Sequence, residues 1–325
     1  MKAFKTYAQQ VDILLSRGLV DDSGGKELET RLQSVGYYRL SGYLYPFRIT
    51  DNTSNGNKKS EQFRPGTTLS RVWEYYLFDR RLRLLILDAI ERIEITLRVQ
   101  IAYEWARAYH VPNPQGFPGS FSAKYRKKER EIRLKAFQDY YERSSEDFAC
   151  HYKEHYHITS VEDLPVWVFI QFSTFGSLQK LFAEGLPLPV RQDIARYFGF
   201  SDVNYFTKIL ALLLQARNAC AHHSRIWNKL WKYDATSILH PHSTRLKPIV
   251  GMTTDARWTS YMHVFNREKT AFLLTVLLYL LRKSATTSRW ETRLKALLTQ
   301  DAPVRSIVQE KGFPANWQAQ ELWKL

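Results

Sequence analysis

Between Leu69 and about Tyr109 the chain has no proline and no glycine, and Leu82, Ile86, Ile90, Ile93, Leu97 and Ile101 recur every three or four residues. That is the period of an amphipathic helix, so the stretch reads as one long helix. Pro112, Pro114, Gly116, Pro118 and Gly119 then break it. A second long helix is expected from Val203 to about Trp231, with an apolar stripe at Phe206, Ile209, Leu210, Leu213, Ala216 and Cys220. Ala123 to Tyr156 reads as helical and highly charged. Pro165 to Phe182 and Leu188 to Phe198 read as shorter helices, and Asp255 to Arg282 as another. There is no internal repeat, no βαβ alternation and no glycine-rich phosphate loop, so the class is mainly α.

The first 68 residues have a different texture. Tyr7, Val11, Leu14 and Leu15 fall at helical spacing, and Gly18 stops that helix. A second helix runs from Asp22 or Ser23 to about Val35, followed by a tyrosine-rich segment over 36–48. Asp51 to Ser60 is a polar loop, and the flanking runs Tyr45–Ile49 and Glu61–Arg64 suit a short hairpin. Helices followed by a hairpin suggest a small winged-helix-like unit over 1–68. The larger helical domain then spans 69–325, with a basic helical insertion at about 120–160.

Charge narrows the function. Lys and Arg number 47 against 32 Asp and Glu, a net charge of +15, and the pI is about 9.7. Such a balance points toward a polyanion, and nucleic acid is the commonest one. With 44% hydrophobic and 24% charged residues, the chain is neither disordered nor fibrous. Two cysteines, Cys150 and Cys220, rule out a disulfide framework and a cysteine-only zinc site. The apolar run Ala271–Leu281 falls short of the ~18 to 20 residues that span a bilayer, so it reads as a buried helix. Met1 to Lys5 is followed by polar residues rather than a hydrophobic run, so a cytoplasmic protein without a membrane partner is expected. His151 and His155 have the i, i+4 spacing of a zinc pair, with Cys150 and His157 nearby, but no second ligand pair is evident. No metal or other cofactor is expected.

The segment 215–228 carries the most chemistry. It places Arg217, Asn218, His222, His223, Arg225 and Asn228 at the end of an otherwise apolar helix. An imidazole titrates near neutrality and serves as general acid or base. A guanidinium can hold the charge that develops on a phosphate. RNA brings its own nucleophile, the 2′-hydroxyl, so no metal is required. Asn218 and His222 share one helix face, and Arg225 continues it. Arg217 lies about 140° around from His222 at ~3.6 residues per turn. The two meet through the long Arg side chain, a distorted helix end, or a second copy of the helix across a dimer axis. The competing reading is a helix C-terminus, where cations are favourable in any protein.

Three groups of residues together resemble the Abi family of bacterial abortive-infection proteins, the AbiD/AbiF-like group. The first is Gln10-Val11-Asp12-Ile13-Leu14 and Arg17-Gly18-Leu19, with Val35-Gly36-Tyr37-Tyr38-Arg39-Leu40-Ser41-Gly42-Tyr43 and Tyr45-Pro46-Phe47-Arg48. The second is Phe78-Asp79-Arg80-Arg81-Leu82-Arg83 and Ile90-Glu91-Arg92-Ile93-Glu94-Ile95. The third is Arg217-Asn218-Ala219-Cys220-Ala221-His222-His223 with Arg225-Ile226-Trp227-Asn228. They span residues 7 to about 230 in order; no motif beyond 230 matches. The resemblance implies a HEPN-type helical bundle whose ribonuclease signature is met by Arg217, Asn218 and His222; beside them His223 and Arg225 are candidate supporting residues. It implies a metal-independent endoribonuclease that leaves 2′,3′-cyclic phosphate ends and works as a homodimer with one composite cleft. It also implies roles in phage defence and toxin–antitoxin behaviour, and control by a small structured non-coding RNA.

Other residues fit an RNA partner. Glu91 and Glu94 lie on the face of Arg98, where they either orient Arg217 from the neighbouring helix or form an ordinary ion-pair stripe. Arg39 and Arg48 suit phosphates, and Tyr37 and Tyr38 suit stacking on unpaired bases, although at least half of the rings in 36–48 are expected to pack inward. Lys124, Arg126, Lys127, Lys128 and Arg130 open a helix that could track a phosphate backbone or be a solvated face. The alternatives to a nuclease are a catalytically silent RNA-binding protein of the same fold and a winged-helix DNA-binding regulator.

Overall fold

The computed structural model describes residues 3–51, 58–123, 125, 127–231, 270–299, 317–319 and 323. Helices dominate them. Three come first: α1 (Tyr7–Ser16), α2 (Lys26–Val35) and α3 (Tyr37–Leu44). A two-stranded antiparallel hairpin comes next, β1 (Arg48–Asp51) with β2 (Lys58–Phe63), in register Arg48 to Phe63 with an irregularity before Thr50. Then come α4 (Leu69–Tyr109), α5 (Lys127–Arg143), α6 (Asp147–Glu154), α7 (Val166–Phe169), α8 (Phe175–Lys180), α9 (Leu188–Tyr197) and α10 (Val203–Ala221). The described part of the tail holds α11 (Thr270–Ser284) and α12 (Trp290–Thr299).

Helix α4 is the spine. Thr68 caps it by accepting the Arg71 N–H at 3.2 Å, which satisfies one of the free amides of the first turn. Its 41 residues extend about 60 Å at 1.5 Å each. Leu69, Val72, Phe78, Leu82, Ile86, Ile90, Ile93, Leu97, Ile101 and Trp105 form its buried stripe. Against it pack α3, α7, α9, α10, α11 and α12. Helix α11 is buried all round from Thr270 to Leu281, which explains a run too apolar for a surface helix and too short for a membrane. Among the described residues no helix is long and apolar enough to cross a membrane.

Three expected helices differ from those observed. Ala123–Tyr156 is two helices, α5 and α6, parted at Ser144 to Glu146. Pro165–Phe182 is interrupted: after α7 a 3₁₀ turn runs to Phe172, and Thr174 starts α8 afresh through a capping box with Ser177. A π turn over Leu181–Gly185 then replaces its last α turn. The third difference, at the end of α10, shapes the site. The 255–269 part of the expected tail helix lies outside the described residues.

Candidate functional site

Helix α10 stops at Ala221, well short of the expected end at Trp231. No glycine or proline stops it. His223 takes a left-handed conformation (φ 55°). Its N–H donates to the Cys220 carbonyl at 3.0 Å, and the Ser224 N–H donates to the Ala219 carbonyl at 2.8 Å. That pair of bonds is a Schellman ending, with histidine where glycine usually sits. Histidine, with asparagine and aspartate, is among the residues that enter this region more readily, but the conformation still stores strain.

The chain leaving His223 is held from elsewhere. Asp79 of α4 is fully buried. One carboxylate oxygen, Oδ1, accepts the N–H groups of Ile226 at 3.0 Å and Trp227 at 2.6 Å. The other, Oδ2, accepts the Tyr43 hydroxyl at 2.6 Å and pairs with Arg83 one turn along α4. Burial pushes the Asp79 carboxyl above its ordinary range, and the four donors around it act against that push. Burial and the adjacent carboxylate likewise raise the Tyr43 phenol. The Tyr75 ring meets the Trp227 indole edge-on at 4.9 Å, and Thr270 donates to the Ile226 carbonyl at 2.9 Å.

Three arginines complete the joint. Arg39 donates to the His223 carbonyl at 2.7 Å, Arg83 to the Ser224 carbonyl at 3.4 Å, and Arg225 to the Gly42 carbonyl. Helix α3 and the His222–Trp227 segment are thereby locked together across about 180 residues of sequence. Between them lies an open cleft of about 590 Å³ lined by Tyr38, Arg39, Ser41, Gly42, Tyr43, Tyr45, Arg48 and His222 to Arg225. Tyr38 is 93% exposed, and its phenol is free to meet a planar ligand. The Arg48 guanidinium lies over the Tyr45 ring at 5.8 Å. His222 and His223 are both exposed.

The structure thus gathers His222, His223, Arg225, Tyr38, Arg39 and Arg48 into one cleft. It leaves other candidates outside. Arg217 is exposed on the flank of α10 and donates to the Asn218 side-chain oxygen at 3.3 Å; neither lines the cleft. Tyr37 is half-buried and accepts a hydrogen bond from Arg17 at 2.8 Å. Glu94 pairs with Arg98 at 2.5 Å, and Arg98 also donates to the carbonyls of Ile170, Gln171 and Ser173. Glu91 is exposed on the same helix, and among the described residues neither glutamate bonds Arg217. Along α5, Lys127 and Lys128 are exposed, whereas Arg130 lies over the Phe121 ring at 5.8 Å with Glu162 at 3.9 Å. Lys124 and Arg126 lie outside the described residues. His151 of α6 stacks at 5.1 Å on His155, the residue that caps that helix, and among the described residues no group of three or more metal-binding side chains forms.

Sequence reasoning gave Asp79, Arg83 and Tyr43 no part in the site. One signal was available: Asp79 is a carboxylate in phase with the apolar stripe of α4, where only a paired charge is tolerated. Cys220, close to the histidines, is buried and its thiol is pushed up to about 12.

A search of the curated proteins and of the solved structures found no match. A family model described as Abi-like protein matches residues 30–228, more than half of the chain. The matched range takes in α3, Asp79, Arg83 and every residue of the cleft. The chain therefore belongs to the Abi-like protein family and is a protein of the abortive-infection type.

Proposed function

We propose that the cleft binds RNA and that the protein is a phage-defence endoribonuclease. The observation that carries this reading is the concave joining of exposed imidazoles with arginines and an exposed tyrosine, Arg39, Arg48 and Tyr38 beside His222 and His223. Arginines pair phosphates and tyrosine stacks on an unpaired base. In the reaction the RNA 2′-hydroxyl attacks the adjacent phosphorus as its proton leaves to a base. The P–O5′ bond breaks as O5′ takes a proton from an acid, and the products carry a 2′,3′-cyclic phosphate and a 5′-hydroxyl. His222 moves a proton in this sequence. Arg217 steadies the charge on the phosphorane, and Asn218 positions the substrate or His222. Because Arg217 is exposed and outside its own cleft, this reading uses a homodimer in which two α10 ends face each other. A small structured RNA held at the same basic surface acts as the controlling partner.

The test is cleavage of end-labelled single-stranded RNA in EDTA by wild type, Arg217→Ala and His222→Ala, after co-purified nucleic acid has been stripped and identified. Cutting by wild type alone, with cyclic-phosphate ends, is expected. Neither Arg217 nor Asn218 lines the cleft, although the Asn218 carbonyl accepts the His222 N–H at 2.9 Å, and this favours one second reading, a catalytically silent RNA-binding protein. That reading predicts tight RNA association and no cleavage by any of the three.

A further inference from the structure

We infer that Asp79, Arg83 and Tyr43 form a positioning device for the His222 site, one that sets the path of the chain after the histidines and registers it against α3. The inference rests on the proposed cleavage at His222 and names residues to which that reading assigns no part.

Packing alone does not call for this network. Position 79 lies among Tyr75, Phe78 and Leu82 on the buried side of α4, where an apolar side chain would continue the core. A buried ion pair replaced by well-packed apolar groups is often no less stable, so the pair with Arg83 is not by itself a sufficient reason for a carboxylate here. The partners supply one. Both acceptor bonds on Oδ1 go to backbone amides of Ile226 and Trp227, a few residues after His222. Arg83 donates to the Ser224 carbonyl as well as to the Tyr43 hydroxyl, the latter at 3.2 Å. Tyr43 belongs to α3, the helix that presents Tyr38 and Arg39. One carboxylate therefore touches both walls of the cleft, one through backbone amides and the other through a buried phenol. The strained His223 backbone persists because its surroundings hold it: Arg39 and Arg83 bond the His223 and Ser224 carbonyls, and Asp79 anchors the amides that follow.

None of the three side chains needs to touch the substrate. Tyr43 and Asp79 are buried, and their effect passes through backbone. Their loss would blur the geometry of His222 relative to the phosphates bound on α3, lowering turnover more than binding.

The experiment uses the full chain with Tyr43→Phe and Asp79→Asn, and Ile86→Val as a control that loosens α4 one turn away from the network. Two quantities are read: kcat and KM for cleavage, and hydrogen exchange of the Ile226 and Trp227 amides relative to those of α12. Tyr43→Phe, which keeps the size and shape of the ring, is expected to lower kcat at least about 10-fold with KM within about twofold. Exchange at Ile226 and Trp227 should quicken at least about 10-fold with α12 unchanged. Ile86→Val should leave both as in wild type. An unchanged kcat in Tyr43→Phe, a loss confined to KM, an equal loss in Ile86→Val, or unchanged exchange in both network variants overturns the inference. Should Asp79→Asn fail to fold, Tyr43→Phe decides alone. If wild type itself does not cut RNA, the nuclease reading fails separately, and the exchange data still decide whether this network fixes the segment after His222.

Discussion

At the cleft, Arg39, Arg83 and Arg225 direct their guanidinium groups at backbone carbonyls of His223, Ser224 and Gly42. Along α5, Arg130 and Arg133 turn instead toward Glu162 and Glu184, each at 3.9 Å, while Lys127 and Lys128 stay exposed in its first turn. Both regions are rich in basic residues, and α5 carries more Lys and Arg, though it also carries acids, which the cleft lining lacks. The cleft differs in being concave and in combining cations with imidazoles and a nearly fully exposed tyrosine. Charge on a convex helix face is screened within about 8 Å at physiological salt. Charge in a concavity, held by fixed hydrogen bonds, presents one geometry to a phosphate. Basic residues in a sequence thus do not rank themselves as a binding site; curvature and the partners of each head group do.

His222→Ala should lower RNA cleavage by about 10²- to 10⁴-fold, the range for loss of a general acid or base, measured on end-labelled RNA in EDTA. Equal cutting by the variant would remove the cleft from the chemistry. Next in size, Arg39→Ala with Arg48→Ala should weaken RNA binding by roughly 30- to 100-fold at low salt. It should also reduce the slope of log K against log salt by about 1.4, at about 0.7 per phosphate contact for single strands. The paired variant Lys127→Ala with Lys128→Ala should change that slope by less. If the α5 pair matches the cleft pair, the two regions are equal phosphate sites.

Tyr38→Ala removes an exposed ring of the cleft. Stacking on one base is worth ~1 to 3 kcal/mol, so binding to unpaired RNA should fall about 10-fold while the melting temperature holds. Tyr38→Phe should bind as wild type. His223 supplies a stability test. A β-branched residue fits the left-handed region poorly, so His223→Val should destabilise the fold by about 1 to 2 kcal/mol, whereas His223→Gly should stay within about 1 kcal/mol of wild type. Thermal melts distinguish these. Glycine at 223 also separates the two histidines: cleavage that survives it leaves His222 as the proton carrier.

The smallest effect concerns Cys220. With its thiol pushed up to about 12, the raised pKa leaves only about one thiolate in 10⁴ at pH 8, and the thiolate is the reactive form. Native protein should therefore resist alkylation at Cys220 at pH 8, and denatured protein should react. Modification of Cys220 in the native state would mean that the α10 end opens readily and that the cleft is not fixed.

Helix α4 was legible in the residues almost to its limits, because an uninterrupted apolar period admits one local structure. The hairpin was legible within a few residues, and α11 was recognisable as a buried helix. The segments that resisted are those where a distant group decides. The sequence after Ala221 has no local stop, and a helix to Trp231 was the natural reading. Asp79 overrides it by taking the Ile226 and Trp227 amides, which a continuing helix would have bonded internally. Likewise the run after Pro165 lacks a helix-ending proline before Phe182, and its interruption coincides with Arg98 collecting the carbonyls of Ile170, Gln171 and Ser173.

For the site, the residue types were readable and their grouping was not. Histidine, arginine and tyrosine in these segments announce phosphate and base chemistry whatever the fold. The apolar period also settles the mainly helical class and the long spine, because periodicity is a property of neighbours along the chain. Long-range packing sets α3 against the histidines, leaves Arg217 out of the cleft lining, and lets Asp79 join the two walls. Those outcomes depend on contacts between residues up to 184 positions apart, and no local pattern encodes the distance across which a buried carboxylate will find its donors.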